Sequence, residues 1–143
     1  MKLRIVMLGK TRRPEIRALV DEYAKRIGRF SEIEFTELRQ DSAASLRKLE
    51  FDSAATVVLL DDAGKPRTSA QFAKWLEELR DQGVRELVFL CGGAEGFPEA
   101  LRRRASQGVS LSPLTFSHEL ARVMLAEQLY RAFAILAGHP YPK

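Results

Sequence analysis

Cysteine is nearly absent from this chain of 143 residues: Cys91 is its single thiol, which excludes an intrachain disulfide and a cysteine-based zinc cluster. It reads as a small buried thiol at a strand end. Histidine is almost as scarce, and the two present, His118 and His139, do not form the i, i+4 pair of a helical metal site. No apolar run approaches a membrane span, and the basic opening Met1 to Lys10 encloses a strand-length run rather than a cleavable signal, so the protein is expected in the cytoplasm without a membrane partner. Repeats and low-complexity segments are missing too.

Several catalytic signatures are also lacking. Gly64-Lys65 resembles the end of a phosphate-binding P-loop, but no glycine precedes it by five residues and Pro66 stands where Ser or Thr is required. An NTPase is therefore excluded. Gly92, Gly93 and Gly96 do not make the dinucleotide pattern G-x-G-x-x-G. No nucleophile elbow surrounds Ser112, Thr115 or Ser117, whose simpler reading is loop capping.

What is present is an ordinary globular composition, 45% apolar and 29% charged, at the length of one domain spanning residues 1–143. The net charge of +4 is unevenly placed. Residues 1–30 hold nine Lys and Arg, Arg12 and Arg13 among them, against three acids, a local net charge of +6. An anionic partner such as RNA explains this asymmetry; a solvated basic face explains it equally.

Hydrophobic periodicity alternates between strand and helix. Leu3 to Leu8 reads as a buried strand. Pro14 then opens a helix whose apolar positions Ile16, Leu19, Val20, Tyr23, Ile27 and Phe30 share a face. Glu32 to Leu38 reads as a second strand, Ser42 to Phe51 as a short helix and Thr56 to Leu60 as a third strand, followed by a loop DDAGKP. Thr68 with Gln71 makes a capping box for a helix buried through Phe72, Trp75, Leu76 and Leu79, and Gly83 suits the position beyond its end. Leu87 to Leu90 is the next strand, Pro98 to Ala105 a short helix, Gly108 to Leu111 a brief strand, and Ser117 caps a last helix running to Ala137. This alternation predicts an α/β fold: a parallel sheet with helices on both faces and ligands bound beyond the carboxyl ends of the strands. The loops after Leu60, Cys91 and Leu111 are the candidates. The last helix is apolar around most of its circumference, which predicts cover by a second copy of the chain, a homodimer.

Two features of the candidate loops bear on chemistry. Glycines in LCGGAEGF remove Cβ atoms and let a planar ligand approach the backbone, although turn geometry alone accounts for them as well. His118 opens the last helix, where the dipole disfavours the imidazolium and keeps the ring neutral, as a base requires; a surface residue of the cap region is the plainer alternative.

Taken together, KLRIVMLGK at the start, LDDAGKP, LCGGAEGF and LSPLTFSHELARVMLAEQLYRAFAILAGHPY resemble, over essentially the whole chain, the small SPOUT-class methyltransferases that modify N3 of a pseudouridine in large-subunit (23S) ribosomal RNA. The resemblance implies a parallel-sheet fold with a C-terminal trefoil knot, a homodimer, S-adenosylmethionine (S-adenosyl-L-methionine) as cofactor and the assembled 70S ribosome as substrate. It places cofactor contacts at Leu60, Gly92, Leu111, Ser112, Pro113, Leu114, Thr115 and Phe116. It makes His118 the residue that positions or deprotonates the base and Arg122 a source of charge for uracil oxygens or phosphate, with a carboxylate as the other possible partner of Arg122. Tyr141 joins the catalytic set; His139, Tyr141 and Lys143 lie in a tail that completes the site of the neighbouring subunit, and Arg12 and Arg13 face RNA. One departure is clear: the family's arginine-containing HPYHR-like ending is here Pro142 and Lys143, a cation without bidentate geometry. Two other readings remain open, a ribosome-binding factor that has lost catalysis and the same chemistry on another RNA such as tRNA. Titration with S-adenosylhomocysteine separates the first from the enzyme.

Overall fold

A computed structural model describes residues 1–39 and 53–141. The expected helix at Ser42 to Phe51 and the ending Pro142-Lys143 lie outside the described residues. Five strands, β1 (Lys2–Leu8), β2 (Ile33–Leu38), β3 (Thr56–Pro66), β4 (Glu86–Cys91) and β5 (Gln107–Ser110), form one sheet in the order β2-β1-β4-β3-β5. Every neighbouring pair is parallel. The helices are α1 (Pro14–Ile27), α2 (Ser69–Asp81), α3 (Glu99–Arg104) and α4 (His118–Leu136).

Strand alternation divides the core in two. Leu3, Ile5 and Met7 of β1, Val58 of β3 and Leu87, Phe89 and Cys91 of β4 point to one face, where they meet Ile27 of α1, Phe72, Trp75, Leu76 and Leu79 of α2 and Leu125, Leu129 and Phe133 of α4. Val6, Leu8, Val57, Leu59, Val88 and Leu90 point to the other, against Leu101 of α3. Burying one such large side chain contributes about 2 kcal/mol, so the central strands β1 and β4, apolar on both faces, anchor the domain.

The ends of the helices follow local chemistry. Thr68 Oγ1 accepts from the Gln71 amide at 3.1 Å while Gln71 Oε1 accepts from the Thr68 amide at 2.9 Å, so the expected capping box closes in both directions. Ser117 Oγ accepts from the Leu120 amide and starts α4. α1 stops at Ile27, short of the expected Phe30, because Gly28 to Phe30 turn back on the last carbonyls, with the Phe30 amide donating to Ile27 O at 2.8 Å. Among the described residues, no helix is long and apolar enough to cross a membrane.

One expectation is corrected. The segment DDAGKP is not a free loop: β3 runs on through it to Pro66 and pairs with β5 on both sides of a bulge, so that Leu60 and Lys65 both stand opposite Val109. This return brings Gly64 against Gly108. A Cβ at Gly64 would lie 2.5 Å from the Gly108 carbonyl carbon, so two glycines meet where two backbones pass with no room for a side chain.

Candidate active site

The sheet order sets β4, β3 and β5 side by side, and the bulge of β3 with the carboxyl ends of β4 and β5 opens on one cleft of about 390 Å³. Leu60, Asp61 and Asp62 come from the β3 bulge, Cys91 to Gly93, Gly96 and Phe97 from the loop after β4, Leu111, Ser112, Leu114, Thr115 and Phe116 from the loop after β5, and His118 and Ala121 from the first turn of α4. All three loops expected to carry ligands therefore line a single cavity at the edge where parallel sheets bind them.

The local geometry of each wall has a physical origin. In the loop after β4, the Gly96 amide donates to Gly93 O at 3.1 Å, closing a turn in which Gly96 takes φ +77°, a conformation costly for any residue with a Cβ. Phe97 then folds back over Gly92, where an added Cβ would meet its ring at 3.3 Å. The bare backbone of Gly92 therefore leaves a slot beside an aromatic wall. The loop after β5 is held from two sides: Ser112 Oγ accepts from the Leu114 amide at 3.0 Å, and Thr115 Oγ1 donates to Asp62 Oδ2 at 2.5 Å across the cleft mouth. That hydroxyl bond holds the Asp62 carboxyl below the usual carboxylate range against the opposing effect of burial. Asp61 lies 3.8 Å from Arg102, whose guanidinium stacks near Phe97. Cys91 closes the floor; burial pushes its thiol up to about 12, which leaves it un-ionised and unreactive despite the pull of the Arg122 charge.

Of the residues expected at the cofactor, Leu60, Gly92, Leu111, Ser112, Leu114, Thr115 and Phe116 line this cleft, and Pro113 does not. His118 joins them. Arg122 does not: its side chain is completely buried, with Nη1 donating to Thr11 Oγ1 at 2.6 Å and Nη2 to the carbonyls of Leu8 and Gly9 at 2.8 and 2.9 Å. The resemblance gave Arg122 a charge to offer a substrate; the structure places its two terminal nitrogens on the β1–α1 connection. Tyr141 and His139 follow the other end of α4 in the chain, and Tyr141 folds back along the helix. Tyr141 packs edge-on to Tyr130 at 4.8 Å, under the Arg131 guanidinium, with its hydroxyl toward Glu127 and Tyr23. His139 sits edge-on to Phe30. Arg12 and Arg13 stand exposed, their amides donating to the carboxylate of Glu119, the residue after His118.

Asp61, Asp62, Phe97 and Arg102 were not singled out from the sequence. The two aspartates directly follow Thr56 to Leu60, the strand legible in the sequence, a position at which parallel sheets present ligand-facing groups, and that was the available signal.

Comparison with known proteins agrees with this geometry. The sequence model of a family described as "Predicted SPOUT methyltransferase" matches residues 1–142. A curated protein of Geotalea daltonii named "Ribosomal RNA large subunit methyltransferase H" is 40% identical, with 99% of each chain covered. A protein of the same name from Solibacter usitatus is 44% identical, again with 99% of each chain covered. Among solved structures, a probable methylase family protein from Haemophilus influenzae superposes with a TM-score of 0.58 at 11% identity, covering 99% of this chain and 72% of that one, a likeness of fold. On the strength of the family match and these full-length relatives, the chain belongs to the SPOUT methyltransferase family.

Proposed function

We propose that this protein transfers a methyl group from S-adenosylmethionine to N3 of a pseudouridine in 23S ribosomal RNA, acting as a homodimer on the assembled 70S ribosome. The observation that carries the reading is the convergence of the β3, β4 and β5 ends with His118 on one cleft. The names of the curated relatives support the RNA substrate.

The cleft fits the cofactor in size, falling in the range of small-molecule sites. The slot at Gly92, which a Cβ would fill, suits a planar group, and Leu60, Leu111, Leu114 and Phe116 offer it apolar cover. When bound, S-adenosylmethionine supplies a methyl group already activated on a sulfonium, so the protein's own work is alignment and proton management. Thr115, pinned to Asp62, fixes the loop that walls the cofactor. His118, held by the first turn of α4 at the cleft edge, orients the pyrimidine and takes up the N3 proton.

Tyr141 folds back along α4, and its hydroxyl meets Glu127, nine residues from His118 and so roughly 14 Å along the helix axis. In this reading the tail completes the cleft of a second copy. Leu120, Met124 and Ile135 on α4 are 45%, 42% and 46% exposed and Leu114 beside them 71%, an apolar surface that supports dimerisation through this helix. The trefoil knot that the resemblance implies belongs to this reading. Incubating the purified protein with labelled S-adenosylmethionine and 70S ribosomes lacking the mark is expected to label 23S RNA at a pseudouridine N3. Absence of transfer overturns the proposal.

A further inference from the structure

The connection between β1 and α1, Gly9 to Arg13, is built more rigidly than a surface loop requires. Its main chain is gripped by four charged side chains from three other elements. Arg122 of α4 takes the carbonyls of Leu8 and Gly9 and the Thr11 hydroxyl. Arg17 of α1 donates to Thr11 O at 2.8 Å, and Glu37 of β2 accepts from the Thr11 amide at 3.2 Å while pairing with Arg17 at 2.9 Å. Glu119 of α4 accepts from the amides of Arg12 and Arg13 at 3.2 and 3.1 Å. Burial alone would raise the Glu119 carboxyl; the two amides, His118 and Arg122 outweigh it and keep the group ionised.

The consequence concerns what faces outward. Lys10, Arg12 and Arg13 remain exposed on a loop whose main chain is held at Gly9, Thr11, Arg12 and Arg13, and Glu119 fastens that loop to the turn of α4 that carries His118. A flexible cation adds affinity but loses entropy when it is ordered, whereas a pre-positioned one contributes geometry to catalysis. We infer that Glu119 and Arg122 are positioning residues that hold the main chain at Arg12 in a set place relative to His118, from which the exposed Arg12 guanidinium meets an RNA phosphate, so that the RNA backbone locates the target base in the cleft. This rests on the proposed RNA substrate and assigns Arg122 a part that does not require it to touch that substrate.

Glu119→Gln is the milder probe: its amide can still accept one of the two backbone bonds but presents a donor to the other. Expected is a rise of about tenfold in KM for unmarked 70S ribosomes, with kcat within about twofold of wild type, and with S-adenosylhomocysteine affinity by calorimetry unchanged. Arg12→Ala is expected to raise KM similarly, and Glu119→Gln combined with Arg12→Ala to be no worse than Arg12→Ala alone, because the two act through one contact. Additive effects in the double variant, or an unchanged KM in Glu119→Gln, overturn the inference while leaving the enzyme reading intact. Loss of S-adenosylhomocysteine affinity in Glu119→Gln points to damage of the cleft and overturns it too. Wild-type protein without transfer removes the reading beneath it. Arg122→Met strips three acceptors of their donor and is expected to lower Tm; Arg122→Lys, which restores the charge, is expected to recover part of the KM loss in the folded fraction.

Discussion

Replacing Gly64 by alanine tests the chain crossing beneath the cleft. The added Cβ would stand 2.5 Å from Gly108 C, 2.7 Å from Val109 N and 2.8 Å from Gly108 O. All three are main-chain atoms of β5, so no side chain can turn aside, and β3 must withdraw by about 1 Å to recover ordinary contact. Gly64 has no positive φ, which makes the cost steric alone. Overpacking of this kind costs about 2 kcal/mol, and disturbing the adjoining pairings of Lys65 with Val109 and Pro66 with Ser110 adds about 1 kcal/mol. With an unfolding entropy of about 0.3 kcal/mol/K for a chain of this length, Tm is expected to fall by about 10 °C. Gly83→Ala supplies the contrast. There φ is +87° with nothing within 4 Å of the new Cβ, so backbone strain of about 1 kcal/mol and a fall of about 3 °C are expected. Calorimetric melting of the two variants at equal concentration decides the matter. A Gly64→Ala protein melting within about 2 °C of wild type, or no lower than Gly83→Ala, refutes the claim that two backbones touch at that point.

Three further outcomes are expected. Gly92→Val drives a branched side chain toward the Phe97 ring and is expected to weaken S-adenosylhomocysteine binding by at least about tenfold in calorimetry, with little change in Tm; unchanged affinity contradicts the assignment of the slot. Thr115→Val removes the hydroxyl that holds the Asp62 carboxyl low. Because the folded value lies below the unfolded one, that bond stabilises the loop above the ordinary carboxylate range and the contribution fades as pH falls through the depressed value, so the Asp62 carboxyl resonance should titrate at higher pH in the variant, and an unmoved titration refutes the link. Finally, His118→Ala and Tyr141→Ala are each expected to abolish most transfer while leaving cofactor affinity nearly unchanged. Mixing the two after subunit exchange should restore about a quarter of wild-type activity, since half the dimers are mixed and each has one intact site; no recovery contradicts a site shared between copies.

Much of the fold was legible because its signals are local. The alternation of Leu3 to Leu8 and the run Leu87 to Leu90 mark buried strands by composition, and the Thr68–Gln71 box closes within three residues of itself. The three ligand-bearing loops could be found for the same reason: each begins where a readable strand ends. The continuation of β3 was not legible. Asp61 to Pro66 has the composition of a turn, and only β5, some forty residues onward, provides the pairing that makes a strand of its end. The packing of Arg122 was not legible for a related reason. An arginine one turn after His118 reads as a functional cation, yet its turn of α4 faces the carbonyls at the end of β1, more than a hundred residues away in the chain.

The sequence by itself determined the order of strands and helices, the caps, the apolar surface of α4 and the identity of the residues at each strand end, because these depend on periodicity and on contacts between near neighbours. Tertiary structure alone decided which strand ends share a cleft, which arginine is buried and which exposed, and that Tyr141 packs back on Tyr130 and Glu127 of α4. Those are consequences of placing β1 between β2 and β4, and β3 between β4 and β5, an arrangement set by the joint burial of two apolar sheet faces rather than by any one segment.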